Sequence, residues 1–408
     1  LSQTETGNVF IKCHEIKKLL FKSVKGKDMD RLTNTNKIEE RLDNFFKLDT
    51  SAIKVHTEST QWLGESLITM PTEKFLILHA QMGKGKSTFI GKYLESMNQK
   101  YNKECSILLV SQRKTFTNFI CKEFEHLNIT NYQDININDD EDNTYNKHRI
   151  CIQVESIHKI TRSYDIVIID EVETVLANFS SGTMTKVQDS FATLRNIINA
   201  SKHCVTADAF ILNRSIEYIT TLRTKKQEIL MIHNTESYLK GRKAIQLSQD
   251  VFDNHLLQSL KEGKRVVNPS SSQRDIKNLY KKIKDQNPDL KSMMYDRDTD
   301  KQGLLKVNDL WSDLGYLGYT PVFQTGVSYT GPSFDLCYAN LKSSNLVRDA
   351  MQMLLRCRKL NDEVLYFSIN KRQTYNTTNI NMFDKYEEFQ LDTKNKLEIV
   401  MNELKKEH

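Results

Sequence analysis

Two glycines one residue apart, followed at once by a lysine and two hydroxyl residues, are a set that can hold phosphate. Residues 75–91 supply it: Phe-Leu-Ile-Leu-His-Ala-Gln-Met-Gly-Lys-Gly-Lys-Ser-Thr-Phe-Ile-Gly. An apolar run, Phe75 to Leu78, precedes the turn Met82 to Lys86, and a helical pattern from Ser87 to Met97 follows it. Glycine tolerates the backbone angles that turn the N–H groups of Gly83, Lys84 and Gly85 inward on an anion. The positive end of the following helix adds to that field. In such a strand–loop–helix setting Lys86 reaches the β- and γ-phosphates of a nucleotide, and the Ser87 hydroxyl binds magnesium. Met82 and Thr88 complete the predicted nucleotide-binding set. Ala80 stands where the pattern G-x-x-x-x-G-K-[ST] opens on glycine, so that position need not adopt positive φ.

A second group of chemistry-bearing residues is Ile166-Val-Ile-Ile-Asp170-Glu171-Val-Glu173. Four apolar residues deliver Asp170 to the C-terminal end of a strand, where ligands collect in open α/β sheets. Next to a phosphate loop, Asp170 is expected to hold magnesium and Glu171 to polarise the attacking water. A third group is Gln352-Met-Leu-Leu-Arg356-Cys-Arg358-Lys359, read as part of a helix. Gln352 and Arg356 stand four apart, which puts them on one helical face. A guanidinium offered by a second lobe can reach the γ-phosphate when the lobes close.

The elements that must position these groups alternate between strand and helix. After the phosphate-loop strand, the apolar runs Ser106–Ser111, Arg149–Val154, Asp165–Ile169, His203–Thr206 and Glu228–Ile232 suit strands buried on both faces. A second block predicts strands at Ala244–Leu247, Arg265–Asn268, Lys291–Met294, Pro321–Gln324, Phe334–Ala339 and Val364–Ser368. Helical segments at Phe252–Glu262, Gln273–Gln286 and Asn345–Arg356 separate them. The predicted fold class is α/β, with two tandem P-loop-type domains on mostly parallel sheets. Residues 1–60 read as a helical N-terminal extension, 61–238 as domain 1, 239–380 as domain 2 and 381–408 as a C-terminal helix.

Composition narrows the class. No apolar run approaches the length needed to cross a bilayer, so no membrane partner is expected. A formal net charge of +6 permits a nucleic-acid partner without demanding one. Seven scattered cysteines with no C-x-x-C pair argue against zinc and for reduced thiols in an intracellular compartment, cytoplasm or nucleus. The chain opens on Leu1 rather than Met, the mark of a processed or partial chain.

Taken in order, these segments resemble the superfamily 2 helicases, and within them the herpesvirus-type replication-origin-binding proteins and their relatives in large DNA viruses and phages. The likeness is carried by Ala80-Gln-Met-Gly-Lys-Gly-Lys-Ser-Thr88, Leu108-Leu-Val-Ser-Gln-Arg-Lys-Thr-Phe116, Gln153-Val-Glu-Ser-Ile-His158, Asp170-Glu-Val-Glu173 with Ser180-Ser-Gly-Thr-Met184, and Thr206-Ala-Asp-Ala209. In the second block Tyr319–Tyr329 and Gln352–Arg358 carry it. Three departures stand out: Leu355 replaces a glycine before Arg356, the spacing of Arg358 differs from the commoner superfamily pattern and leaves open which arginine acts, and no adenine-reading motif precedes the phosphate loop.

The resemblance implies two RecA-like lobes, ATP and Mg2+ on Lys86, Ser87, Asp170 and Glu171, and Gln352, Arg356 and Arg358 from the second lobe. It implies Gly326 at the nucleotide as well. Single-stranded or tailed duplex DNA would meet Arg113, Lys114, Thr115, Ser156, His158, Pro269, Ser270, Ser271 and Thr325. Other replication proteins are expected partners. It leaves no room after residue 370 for a separate origin-reading domain. Two rival readings are an ATP-switched initiator that remodels DNA without processive unwinding, and a single-lobe P-loop kinase acting on small molecules.

Overall fold

The structure is a computed structural model. It describes residues 10–12, 47–112, 117, 121–122, 124–135, 145–180, 184–222, 228–238, 241–299, 307–321, 329–342 and 347–370. They fall into two compact units that divide between Glu236 and Ser237. Strand β1 (Phe10–Lys12) belongs with the unit that begins at Ser237.

The first unit carries β2 (Lys54–Glu58), β3 (Phe75–Ala80), α1 (Lys86–Tyr101), β4 (Ile107–Ser111), β5 (Thr130–Asn131) and β6 (Arg149–Gln153). A 3-10 helix (Val154–Lys159) then leads to β7 (Ile166–Asp170), α2 (Val172–Asn178), α3 (Val187–Ala200), β8 (His203–Asp208), α4 (Asn213–Thr221) and β9 (Ile229–Asn234). Eight described strands form one sheet in the order β2-β9-β3-β8-β7-β4-β6-β5, and every pairing is parallel.

Alternation along each central strand explains why both faces are covered. Phe75 and Ile77, Leu108 and Val110, Val167 and Ile169 enter one core, where Phe191, Leu194 and Ile198 of α3 pack. Leu76 and Leu78, Ile107 and Leu109, Ile166 and Ile168 enter the other, against Phe89, Ile90, Tyr93 and Leu94 of α1. The period of two thus sends successive apolar residues to opposite helical layers.

The second unit carries β10 (Lys243–Gln246), α5 (Gln249–Lys261), β11 (Val266–Pro269), α6 (Gln273–Gln286), β12 (Ser292–Tyr295), α7 (Val307–Leu310) and β13 (Tyr316–Tyr319). β14 (Leu336–Lys342), α8 (Val347–Leu354) and β15 (Val364–Asn370) complete it. Its seven described strands run β1-β10-β15-β14-β11-β13-β12, all parallel except β1, which pairs antiparallel with β10.

Three expectations need correction. Residues 54–58 are not part of a helical extension: they add a parallel edge strand whose partner is β9. Phe10–Lys12 is likewise strand. The strand at Tyr316–Tyr319 was not expected; Gly315 and Tyr316 both donate their amides to Lys291 O and fix its register with β12, while residues 322–324 of the strand expected at Pro321–Gln324 lie outside the described residues. The expected C-terminal helix, 381–408, lies outside the described residues.

One anchor at the N-terminal end of the first sheet carries a measurable share of stability. The Asp165 carboxylate accepts from Lys103 Nζ at 2.8 Å, from the Ser106 amide and hydroxyl at 3.0 Å each, and pairs with Lys202 at 3.0 Å. Burial works to raise its pKa, but the bonds from Lys103, Ser106 and Lys202 overcome this and hold it well below the ordinary range. A depressed folded pKa contributes stability that is present above the ordinary carboxylate value and lost as pH falls below it. Asp165→Ala is expected to lower stability by about 2 kcal/mol, seen as a lower urea midpoint with unchanged slope. A midpoint equal to wild type at pH 7 would contradict the anchoring role.

Candidate nucleotide-binding site

In an all-parallel sheet every strand ends on the same edge, so β3, β6, β7, β8 and β9 deliver their C-terminal residues together. β3 finishes at Ala80, paired with Asn234 of β9. Positive φ begins only at Gly83 (76°) and recurs at Gly85 (79°), which is why alanine serves at position 80 and glycine is needed three and five residues on. The Lys84 amide donates to Gln81 O at 3.2 Å, and Phe89 N to Gly85 O at 2.8 Å begins the helical ladder of α1. The Lys86 ammonium donates to Ala80 O at 2.7 Å and to Gln81 O at 3.3 Å, so it arches back across the loop it closes. Ser87 and Thr88 occupy the first turn of α1.

β7 brings Asp170 to the same edge, in register with Ala207 of β8. Its neighbour Glu171 has φ 55°, a left-handed backbone that non-glycine residues rarely take. That conformation turns the Glu171 amide onto Asp170 Oδ1 at 3.0 Å and starts α2 immediately. Glu173, in the first turn of α2, is the clamp. Its carboxylate accepts from Leu212 N at 2.7 Å, Ser215 Oγ at 2.6 Å and Arg214 Nε at 2.8 Å, while its amide donates to Asp208 Oδ2 at 3.0 Å. Arg214 also donates to the Glu173 carbonyl. The start of α2 is thereby tied to the end of β8 and the start of α4, which over-determines the strained turn at Glu171.

Burial pushes the Asp170 carboxyl up to about 7, with the charges of Glu171 and Asp208 adding to the rise and Lys86 opposing it. A raised folded pKa for a carboxyl means that its stability contribution is full below the unfolded value and is lost as pH rises through about 7. Asp170→Asn should therefore raise the melting temperature of the nucleotide-free chain by about 2–4 °C at pH 8, the gain shrinking toward pH 4. A lower melting temperature at pH 8 would contradict the crowding of charge at this edge.

The remaining expected contacts are distributed over both units. Ser156 and His158 lie half-buried in the 3-10 helix after β6. His158 Nδ1 sits 3.4 Å from Ser190 Oγ, and burial, with Lys186 nearby, lowers its pKa. Arg113, Lys114 and Thr115, which follow β4, lie outside the described residues, as do Thr325 and Gly326.

In the second unit Pro269 ends β11 and is buried. Ser270 is buried too: its amide donates to Tyr319 O at 2.8 Å and its hydroxyl to Ser272 O at 3.1 Å. Those two residues build the turn into α6, which Ser272 caps by accepting from Asp275 N, and only Ser271 of the three is partly accessible.

Gln352 and Arg356 are both buried, but they do not share a helix. α8 ends at Leu354; the Arg356 carbonyl accepts from Tyr329 N at 3.0 Å, and Cys357 bridges to Tyr329. Pairing of the chain after α8 with the segment at Tyr329 wins over continuation of the helix. Arg358 is largely buried, and its carbonyl accepts from Arg242 Nη2 at 3.0 Å.

Sequence spacing missed the partners of Glu173. Asp208 stood within a recognised segment, but nothing in the order Ala209-Phe-Ile-Leu-Asn-Arg-Ser215 signals that Arg214 and Ser215 return to the acidic turn. The face-to-face stack of His79 on His233, 4.3 Å between centroids, joins the ends of β3 and β9 and was also unforeseen.

The comparison with known proteins decides the family. The sequence model described as Origin of replication binding protein matches residues 65–289, more than half of the chain. The chain belongs to the origin of replication binding protein family. Among relatives of this family member, the replication origin-binding protein of human herpesvirus 7 is 25% identical over 73% of the chain and 38% of its own length. A helicase/primase complex protein of African swine fever virus is 26% identical over 74% of the chain and 29% of its own length. A mimivirus replication origin-binding protein is 28% identical over 75% and 39%. The chain thus spans well under half the length of these relatives.

Solved structures agree on the fold of this family member. The DEAD-box helicase Mss116 bound to ssRNA and UDP-BeF superposes with a TM-score of 0.53 at 12% identity, over 78% of this chain and 77% of that one. The DUF1998 helicase MrfA bound to DNA gives 0.51 at 11% identity, over 78% and 49%. The fold class is α/β with two RecA-like units, as the sequence led us to expect.

Proposed function

We propose that the chain is an ATP-dependent translocase of the helicase type that acts on single-stranded or tailed duplex DNA during viral or phage DNA replication. The observation that carries this reading is the convergence of Lys86, Ser87, Asp170 and Glu171 on one edge of a parallel sheet, in a family named for origins of replication. The names of the relatives, replication origin-binding protein and helicase/primase complex protein, support the same process and imply other replication proteins as partners.

In this reading the glycine turn and the start of α1 bind the triphosphate, and Lys86 exchanges the carbonyls of Ala80 and Gln81 for phosphate oxygens. Glu171 orients and polarises the attacking water. Among the described residues no three His, Cys, Asp or Glu side chains converge on a metal position. Magnesium would be held by Asp170 and Ser87 together with the phosphates it arrives with, at an edge where Glu171 and Asp208 add negative charge. Bound there, the ion supplies charge neutralisation at the phosphates. Arg356, with Arg358 as its neighbour, adds positive charge to the transferring phosphoryl group. Ser156, His158 and Ser271, with Arg113, Lys114, Thr115 and Thr325, contact the sugar–phosphate backbone without reading bases.

Strand displacement on a DNA duplex with a single-stranded tail tests this. ATP-dependent release of the displaced strand is expected. DNA-stimulated ATP hydrolysis with no release would favour a local remodeller instead.

A further inference from the structure

Trp62 is one of two tryptophans in the chain, and the two differ completely in setting: Trp311 is 0% exposed, Trp62 43%. A half-exposed indole offers a flat, apolar face on which another ring can stack. Trp62 packs on the phosphate loop itself. A Cβ placed on Gly85 would lie 3.4 Å from Trp62 Cε3 and 3.7 Å from its Cβ. Leu63, the next residue, donates its amide to Lys84 O at 2.8 Å, joining the tryptophan turn to the loop through the backbone.

The turn that carries the indole is fixed from several sides. Buried Glu58, at the end of β2, accepts from Gly64 N at 2.5 Å, from Ser66 N at 3.2 Å and from Ser66 Oγ at 2.6 Å. Asn234 Nδ2, at the end of β9, donates to Thr60 O at 3.0 Å and to Thr60 Oγ1 at 3.2 Å. Thr60 Oγ1 in turn donates to Trp62 O at 2.7 Å, and Trp62 N donates to Glu65 Oε2 at 3.1 Å. Gly64 (φ 82°) lies so close to the Phe89 ring of α1 that a Cβ there would sit 2.5 Å from it. A buried carboxylate, an amide side chain and a required glycine are a large investment for one surface turn. What they achieve is a rigid, half-exposed aromatic surface beside Gly85.

We propose that Trp62 is the stacking platform for the base of the nucleoside triphosphate bound at the phosphate loop. This rests on the nucleotide-binding reading above and adds to it the residue that takes the base. Stacking reads the flat face of a base, which every nucleobase offers, so the platform needs no hydrogen-bonding motif ahead of the loop.

The test compares MgATP with magnesium tripolyphosphate, which has the phosphates and no base, by calorimetric titration of the full chain. Trp62→Ala should weaken ATP about tenfold, the loss of one base–aromatic stack, and leave tripolyphosphate within about twofold. Trp62→Phe should restore most of the ATP affinity. A second reading needs no variant: acrylamide quenching of tryptophan emission in the wild-type chain should fall when ATP binds and stay unchanged with tripolyphosphate. If both ligands bind and Trp62→Ala takes ATP as tightly as wild type, the platform is refuted and the phosphate site stands. If neither ligand binds the wild-type chain, both fall.

Discussion

Lys86→Ala is expected to leave a folded chain whose ATP turnover is at least about 10²-fold below wild type, the usual loss when one group aimed at developing phosphate charge is removed. The ammonium bridges the backbone of the glycine turn, reaching Ala80 O and Gln81 O. Removing it deprives two carbonyls at a half-exposed loop of a donor, worth about 1 kcal/mol, so the melting temperature should shift by only a few degrees. Core residues Leu76, Leu78, Phe89 and Tyr93, which fix β3 and α1, are untouched. Loss of turnover with a retained cooperative melt assigns the effect to chemistry. Unchanged turnover would refute the site.

Arg356→Ala carries the second large effect, a fall of about 10²–10³-fold in ATP turnover with nucleotide binding nearly intact, as expected of a cation that acts on the transferring group. The residue is 7% exposed, and its backbone helps hold the segment at Tyr329, so folding has to be watched separately. Arg356→Lys keeps the charge and most of the packing but loses the planar fork, and should recover stability without recovering full turnover. Arg358→Ala, measured beside it, decides which of the two arginines acts. A single-lobe kinase predicts that neither substitution matters to turnover.

Strands and phosphate loop were legible because their signals are local. Four-residue apolar runs such as Ile166–Ile169 can only be buried on both faces, and Gly-Lys-Gly-Lys-Ser forces a turn ahead of a helix whatever surrounds it. α6 was legible to the residue, since Ser272 caps it through the amide of Asp275 and Ile276, Leu279 and Ile283 recur at helical spacing. The end of α8 was not. A periodic pattern ran on to Arg356, and the bond from Tyr329 that stops the helix comes from a residue far away in sequence. Edge strand β2 hid for a related reason: five residues with a single buried side chain carry little pattern, and their reason to be extended is β9, far along the chain.

The site divides along the same line. Residues proposed to face the phosphates announce themselves by type and spacing. Those that hold them in place, Glu173 through Arg214 and Ser215, or Trp62 through Glu58 and Asn234, are joined only by the fold.

The most direct measurement is the steady-state ATPase rate of the wild-type chain with and without single-stranded DNA, with single-stranded RNA as a parallel arm. A DNA-driven motor predicts a slow basal rate that rises several-fold and saturates with added DNA. A rate indifferent to both nucleic acids would contradict it.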